Sequence, residues 1–85
     1  MDWHIYIVKC SDGSLYTGVA KDIARRVNEH NYDDKKAAKY TRARRPVSLV
    51  YSEGHKTQSA ALKREWQVKA LSRDKKLELI SGFKQ

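Results

Sequence analysis

Residues 3–18 read WHIYIVKCSDGSLYTG, two runs of strand-forming residues on either side of Ser11-Asp12-Gly13. The aromatic and β-branched residues from Trp3 to Cys10 favour an extended chain. Alternation puts Trp3, Ile5 and Ile7 on one face, and His4, Tyr6, Val8 and Cys10 on the other. A strand that is apolar on both faces has to be covered on both. Asp12-Gly13 is a hairpin signal, because a tight turn needs a positive φ that these residues tolerate. The return strand is then Ser14 to Ala20, and the hairpin carries Tyr6 and Tyr16 on neighbouring strands.

Downstream, Asp22 is a good N-cap for a helix from Ile23 to about His30, with Ile23 and Val27 on one face. Asn31 to Arg45 has no apolar period and reads as a basic connection, with at most a short helical turn near Ala37. Pro46 ends it, and Val47 to Tyr51 reads as a third strand. A second helix starts at Thr57 or Ser59 and runs to about Leu71. A shorter last helix covers Asp74 to Ile80, before Gly82. The order β-β-α-β-α-α implies one compact α/β unit over residues 1–85, a small sheet with helices against it.

Composition narrows the partners. A chain of 85 residues has room for one small core. Its 18 Lys and Arg against 10 Asp and Glu give a net charge of +8, which favours a polyanionic partner. Nucleic acid is the stronger choice over a membrane, since the longest apolar run, Ile5 to Val8, is far too short to span a bilayer. No secretory or lipidation signal is expected. A lone cysteine, Cys10, cannot form an internal disulfide and reads as a buried thiol suited to a reducing cytosol.

Several polar residues sit where apolar ones are expected. Arg26 and His30 are one helical turn apart and share a face near the Ile23–Val27 stripe, so both can lean over the sheet. Glu65 falls between Ala61, Leu62 and Val68 on the helical wheel, and an ionised carboxylate within an apolar face needs a partner. Lys69, four residues on, can supply it. A hard divalent cation, which prefers carboxylate oxygen, is the alternative. Tyr6 and Tyr16 are either core residues with one wet hydroxyl or members of the same site.

Taken together, these residues carry a resemblance. HIY at residues 4–6, YTG at 16–18 and the run Arg26-Val-Asn-Glu-His30 resemble the motif of GIY-YIG nucleases, from Trp3 to about Leu71. The late helix is similar to that of small standalone bacterial members, and the domain as a whole is similar to the N-terminal nuclease domain of the excision-repair nuclease. The resemblance implies a three-stranded antiparallel sheet flanked by helices. It matches Tyr6 and Tyr16 to the two motif tyrosines, Gly18 to the second-motif glycine and Arg26 to the catalytic arginine. His30 matches the His or Tyr position that follows, and Glu65 the metal-binding glutamate. His4 stands in place of the first-motif glycine, Thr17 in place of isoleucine, and Val19 where excision-repair relatives carry a lysine.

The implied activity is hydrolysis of phosphodiester bonds in nucleic acid, DNA before RNA, with one Mg²⁺ or Mn²⁺ ion on Glu65. Tyr6 and Tyr16 would orient and deprotonate the attacking water, a nearby cation lowering a phenol pKa that is ordinarily about 10. Arg26 would hold the scissile phosphate, and His30 would support a tyrosine hydroxyl or the phosphate. The cations Lys35, Lys36, Lys39, Arg42, Arg44 and Arg45 outnumber the nearby Asp33 and Asp34, which makes this segment a candidate backbone-binding surface. A larger protein partner could supply targeting. The rival readings are a non-catalytic nucleic-acid-binding module on the same scaffold and a basic RNA-contacting or protein-interaction factor.

Overall fold

The computed structural model describes residues 2–83. Three antiparallel strands, β1 (Trp3–Lys9), β2 (Leu15–Ala20) and β3 (Ser48–His55), form a sheet in the order β2-β1-β3. The doubly apolar strand thus takes the centre. Ile5, Tyr6, Ile7 and Val8 are each at most 1% exposed, because helices cover both faces. Helix α1 (Ile23–Tyr32) lays Ile23 and Val27 on the face of Tyr6, Val8, Cys10 and Val47. Helices α3 (Gln58–Lys69) and α4 (Arg73–Ser81) cover the other face, where Ala61, Val68, Leu79 and Ile80 meet Ile5 and Ile7. Between α1 and β3 lies a single turn of helix, α2 (Lys39–Arg42). The expected order of strands and longer helices holds. Among the described residues, no helix is long and apolar enough to cross a membrane.

The hairpin follows from its turn residues. Gly13 has φ +84°, in the left-handed region, with open space where a Cβ would lie, so backbone conformation is what favours glycine there. Asp12 Oδ1 accepts from the Ser14 backbone N–H at 3.0 Å, closing an Asx turn. Side-chain caps begin the three longer helices: Asp22 accepts from Arg25 N, Thr57 from Ala60 N and Ser72 from Lys75 N. Cys10 is 4% exposed and its thiol pKa is pushed up by burial, as expected of an inert core cysteine.

Two parts of the chain differ from the sequence expectation. The third strand runs on to His55 instead of ending at Tyr51. Its polar end is stabilised from α3: Arg64 Nε donates to both Glu53 oxygens at 3.2 and 3.0 Å, and the Tyr51 hydroxyl donates to Oε1 at 2.6 Å. A bulge opposite Ile7–Val8 pairs these residues with Tyr51 and Leu49, so that Val50 and Tyr51 both pack on the Ile5–Ile7 side.

The second difference is the basic connection, which is folded onto the domain. Asn31 works as a substitute strand neighbour: its Nδ2 donates to Val47 O at 2.9 Å, and its Oδ1 accepts from Val47 N at 2.7 Å. Asp33 Oδ1 accepts from Lys35 N and Lys36 N, both at 2.9 Å, and Arg45 Nε donates to His30 O at 2.7 Å. An Asn31→Ala variant leaves two backbone groups of the buried Val47 without these partners. It is expected to lose about 2 kcal/mol of stability, readable as a lower urea midpoint with unchanged m-value. An unshifted midpoint would make the clamp dispensable.

Candidate active site at the edge of the sheet

Strand pairing places Tyr6 directly opposite Gly18. The phenol lies across that glycine so closely that a Cβ there would fall 2.5 Å from Tyr6 Oη and 2.7 Å from Cζ. The glycine is therefore a matter of space. From this position the Tyr6 hydroxyl reaches His30 Nε2 at 2.8 Å, and His30 Nδ1 reaches Thr41 Oγ1 at 2.7 Å. Thr41 Oγ1 in turn donates to Ala38 O at 3.0 Å. A hydroxyl has one proton to give, so Thr41 must accept from Nδ1–H. That assigns the tautomer: Nε2 is the bare nitrogen, and it accepts from Tyr6 O–H.

The chain of bonds is buried, with Tyr6 at 1% exposure and His30 and Thr41 at 0%. Burial pushes the Tyr6 pKa up to about 12, against the adjacent Arg26 guanidinium, which pulls it down, while the Tyr16 and Glu65 charges add to the rise. The expected lowering by a neighbouring cation is thus outweighed by desolvation, and Tyr6 is a neutral phenol at pH 7. Burial, helped by Arg26 and Arg45 and opposed by Glu29, pulls His30 down to about 4.

A depressed histidine pKa has a definite consequence for stability. Between about pH 4 and the ordinary value of about 6.5, the unfolded chain binds a proton that the folded His30 refuses. Stability therefore rises with pH through this window and is lost on acidification. Going from about pH 7 to about pH 4.5 should cost about 2–3 kcal/mol through this group. Urea midpoints across that range measure it, alongside NMR titration of the ring. A His30 ring titrating near its ordinary value in the folded protein would contradict the assignment.

The other candidates surround this chain. The Tyr16 ring stands edge-on to His30 (centroids 5.4 Å apart, 69°) and stacks on Tyr40 of α2 (6.0 Å, 23°). Arg44 lies over the Tyr40 ring at 3.9 Å. Arg26 Nη1 is bound to Glu29 Oε1 at 3.1 Å and to Lys36 O at 2.7 Å, while the guanidinium faces Tyr6. Glu65 comes from α3, across the sheet from α1. Its side chain is 20% exposed and pairs with Lys69 at 3.3 Å. Of the two partners weighed for Glu65, Lys69 is in contact with it, and the carboxylate also lies within electrostatic reach of Tyr6.

The two layers meet at β2, an edge strand, where Leu15, Tyr16, Thr17, Tyr40, Lys69 and Lys76 line an open cleft of about 240 Å³. Sequence reasoning did not find Thr41, Tyr40 or Lys76. The two tyrosines, Arg26 and His30 lie together, with Glu65 reaching the same edge from the opposite face.

The basic segment divides. Lys35, Lys36, Lys39 and Arg42 are exposed, although Arg42 also donates to Asp34 O. Arg44 and Arg45 turn inward: Arg44 pairs with Asp12 at 3.2 Å and Arg45 with Asp34 at 2.7 Å. The acid missing from the local count is Asp12, supplied by the hairpin.

A phenol–histidine–arginine set with one carboxylate is the arrangement the HIY and YTG motifs imply, and the GIY-YIG catalytic domain profile matches residues 2–78. The chain belongs to the GIY-YIG family. Among curated relatives, a UPF0213 protein of Staphylococcus saprophyticus is 62% identical over 82 residues, covering 95% of this chain and 98% of that protein. A UPF0213 protein of Staphylococcus aureus is 60% identical over 81 residues, covering 94% and 96%. Two solution NMR structures resemble the fold. The UPF0213 protein of Bacillus halodurans has a TM-score of 0.60 at 43% identity, and a protein from E. faecalis has 0.64 at 35%; each match covers 95% of this chain and 84% of the other. This GIY-YIG chain is thus similar over nearly its whole length to small bacterial proteins of one kind. The family is of nuclease type, generally endonucleolytic and dependent on divalent metal, which points to nucleic acid as substrate.

Proposed function

We propose that this GIY-YIG domain is an endonuclease that hydrolyses phosphodiester bonds in nucleic acid, DNA before RNA, with one Mg²⁺ or Mn²⁺ ion. The observation that carries this reading is the buried Tyr6–His30–Thr41 chain, set beside Arg26 at the edge that Glu65 reaches from the opposite layer. A core tyrosine needs only one partner for its hydroxyl. Here a second buried polar group fixes the tautomer of the first, which keeps a lone pair on Tyr6 oxygen available to a water.

Tyr6 and Tyr16 together orient the attacking water. Because Tyr6 is neutral at pH 7, it takes a proton from water only as it passes its own to His30 Nε2. Arg26 holds the scissile phosphate through guanidinium donors left over from Glu29 and Lys36 O, and stabilises the charge that develops on it. The donor set suits a hard cation with few protein ligands: among the described residues, no three His, Cys, Asp or Glu cluster as a metal site. Glu65 would be the one protein ligand, with water and substrate phosphate as the rest. Bound there, the ion supplies positive charge opposite the leaving oxygen.

The exposed Lys35, Lys36, Lys39 and Arg42 follow the nucleic-acid backbone. Replacing Lys35, Lys36 and Lys39 by alanine is expected to weaken binding across sequences. The slope of log K against log salt should flatten by about two to three units if all three make contacts, at about 0.7 per contact on a single strand and about 0.9 on duplex. An unchanged slope would assign them to solvent. In this reading Arg44 and Arg45 mainly pin the connection, and their contribution to binding is indirect. The buried free thiol of Cys10 fits a cytoplasmic protein.

The test is a cleavage assay over single-stranded, duplex, flapped and branched substrates with Mg²⁺, Mn²⁺ or EDTA. Metal-dependent cutting that disappears in the Arg26→Ala protein is the expected result. Salt-sensitive binding with no cutting of any substrate would make the chain a binding module on a nuclease scaffold.

A further inference from the structure

Besides Tyr16, the cleft at the β2 edge holds groups that the proposed chemistry does not use. Tyr40 and Tyr16 form one wall, and Lys69 of α3 and Lys76 of α4 reach it from the other layer. Lys69 has Glu65 as a partner. Lys76 is half-buried, yet among the described residues no carboxylate lies within ion-pair distance of it, although its neighbour Lys75 pairs with Glu78 at 3.7 Å. Partial burial of an ammonium without a counter-charge is unfavourable, and two ammonium groups lining one cleft repel each other. An anion in the cleft relieves both penalties.

We propose that this cleft is a nucleotide subsite next to the scissile bond, in which Lys76 and Lys69 take a phosphate and the Tyr16–Tyr40 wall takes the attached sugar and base. The proposal rests on the reading of the chain as a nucleic-acid-processing domain and adds where the neighbouring nucleotide sits. Several features fit that ligand over a bare phosphate. The cleft, at about 240 Å³, is larger than an anion needs. One wall is aromatic, and aromatic rings bind bases without regard to sequence. Arg44 lies over the Tyr40 ring and is itself tied to Asp12 and to Tyr40 O, so the wall is braced before any ligand arrives. Pre-ordering of this kind lowers the cost of binding.

The site also gives Lys69 two possible anions. It pairs with Glu65 at 3.3 Å. A phosphate in the cleft competes for the same ammonium and leaves the carboxylate open to a cation. Substrate arrival and cation binding at Glu65 then favour each other, as linkage requires when one group separates the two.

The test titrates the intact protein, without metal, with a short oligothymidylate and with thymidine 5′-monophosphate. Wild type is compared with Lys76→Gln, which removes the charge and keeps most of the side chain, and with Lys76→Arg, which keeps the charge. Lys76→Gln is expected to bind the oligonucleotide several-fold more weakly and to flatten its salt slope by about 0.7, the loss of one phosphate contact on a single strand. Lys76→Arg should restore both. Thymidine 5′-monophosphate should shift the Tyr16 and Tyr40 ring resonances in wild type and not in Lys76→Gln. Equal affinity and slope for wild type and Lys76→Gln would overturn the subsite, even if wild type cleaves. If wild type never cleaves but Lys76→Gln binds more weakly and Lys76→Arg does not, the subsite stands and the nuclease reading falls.

Discussion

A Glu65→Gln protein is expected, without metal, to bind nucleic acid at least as well as wild type and, with metal, to cleave it about 10³-fold more slowly. The size follows from what a divalent ion contributes to phosphoryl chemistry, several kcal/mol of charge stabilisation. The direction of the binding effect separates catalysis from affinity. Removing a negative charge from a basic surface favours a polyanion, so slower cleavage in this variant cannot be ascribed to weaker substrate binding. Stability should barely change. Among the described residues the ion pair lost is Glu65–Lys69, whose lysine is 54% exposed, and such pairs are worth about 1 kcal/mol or less. Single-turnover rates at saturating substrate, with filter binding on the same preparations, measure both quantities. Equal cutting by the two proteins at matched purity would remove the enzyme reading.

The Glu65 case also marks where local sequence information stops. Its position in the apolar face was legible because helical spacing is a local regularity. Whether a lysine or a metal answers it depends on what stands across the sheet. The same division runs through the fold. The central place of β1 follows from its two apolar faces, and the Asp12-Gly13 turn and the Asp22 cap are set by residues a few positions apart. The third strand outruns its apolar stretch, Val47 to Tyr51, because Arg64 from the next helix satisfies Glu53, a contact that no local pattern shows. Helix α2 has only four residues, too few for a periodic signal, and it is held by tertiary contacts of Thr41 and Arg44.

The candidate site is split in the same way. The spacing of Tyr6, Tyr16, Arg26 and His30 was readable as a motif. Thr41, which fixes the histidine tautomer, and Tyr40, which backs Tyr16, lie in a segment that reads only as charge. Arg44 reads as a free cation because its acid, Asp12, belongs to a hairpin far upstream, whereas Arg45 takes Asp34 from within the segment. The pKa of Tyr6 was the other inference beyond the reach of sequence. Arg26 does act on it in the expected direction, but the depth of burial decides the sign.

A Gly18→Ala variant should be destabilised by about 3 kcal/mol and lose the Tyr6–His30 hydrogen bond. The usual effect of this exchange in a strand has the opposite sign, since alanine is favoured over glycine by about 0.5–1 kcal/mol through the entropy of the unfolded chain. What reverses it is the phenol: the added methyl would stand 2.5 Å from Tyr6 Oη and 2.7 Å from Cζ, closer than real Cβ contacts come. Tyr6 is 1% exposed and packed against Val8, Cys10 and Val47, so the ring cannot swing away without opening the core. Overpacking of this kind costs about 1–3 kcal/mol, and displacing the ring adds the cost of a buried, unpaired His30 nitrogen. A double-mutant cycle isolates the cause. In a Tyr6→Leu background, which lacks the ring atoms that clash, Gly18→Ala should cost little or stabilise slightly, giving a coupling energy of about 2–3 kcal/mol between the two positions. Urea denaturation of the four proteins measures it, and NMR of the His30 ring nitrogens reports the hydrogen bond. If Gly18→Ala matches wild type in stability, or costs the same in both backgrounds, close approach to Tyr6 is not what requires glycine at this position.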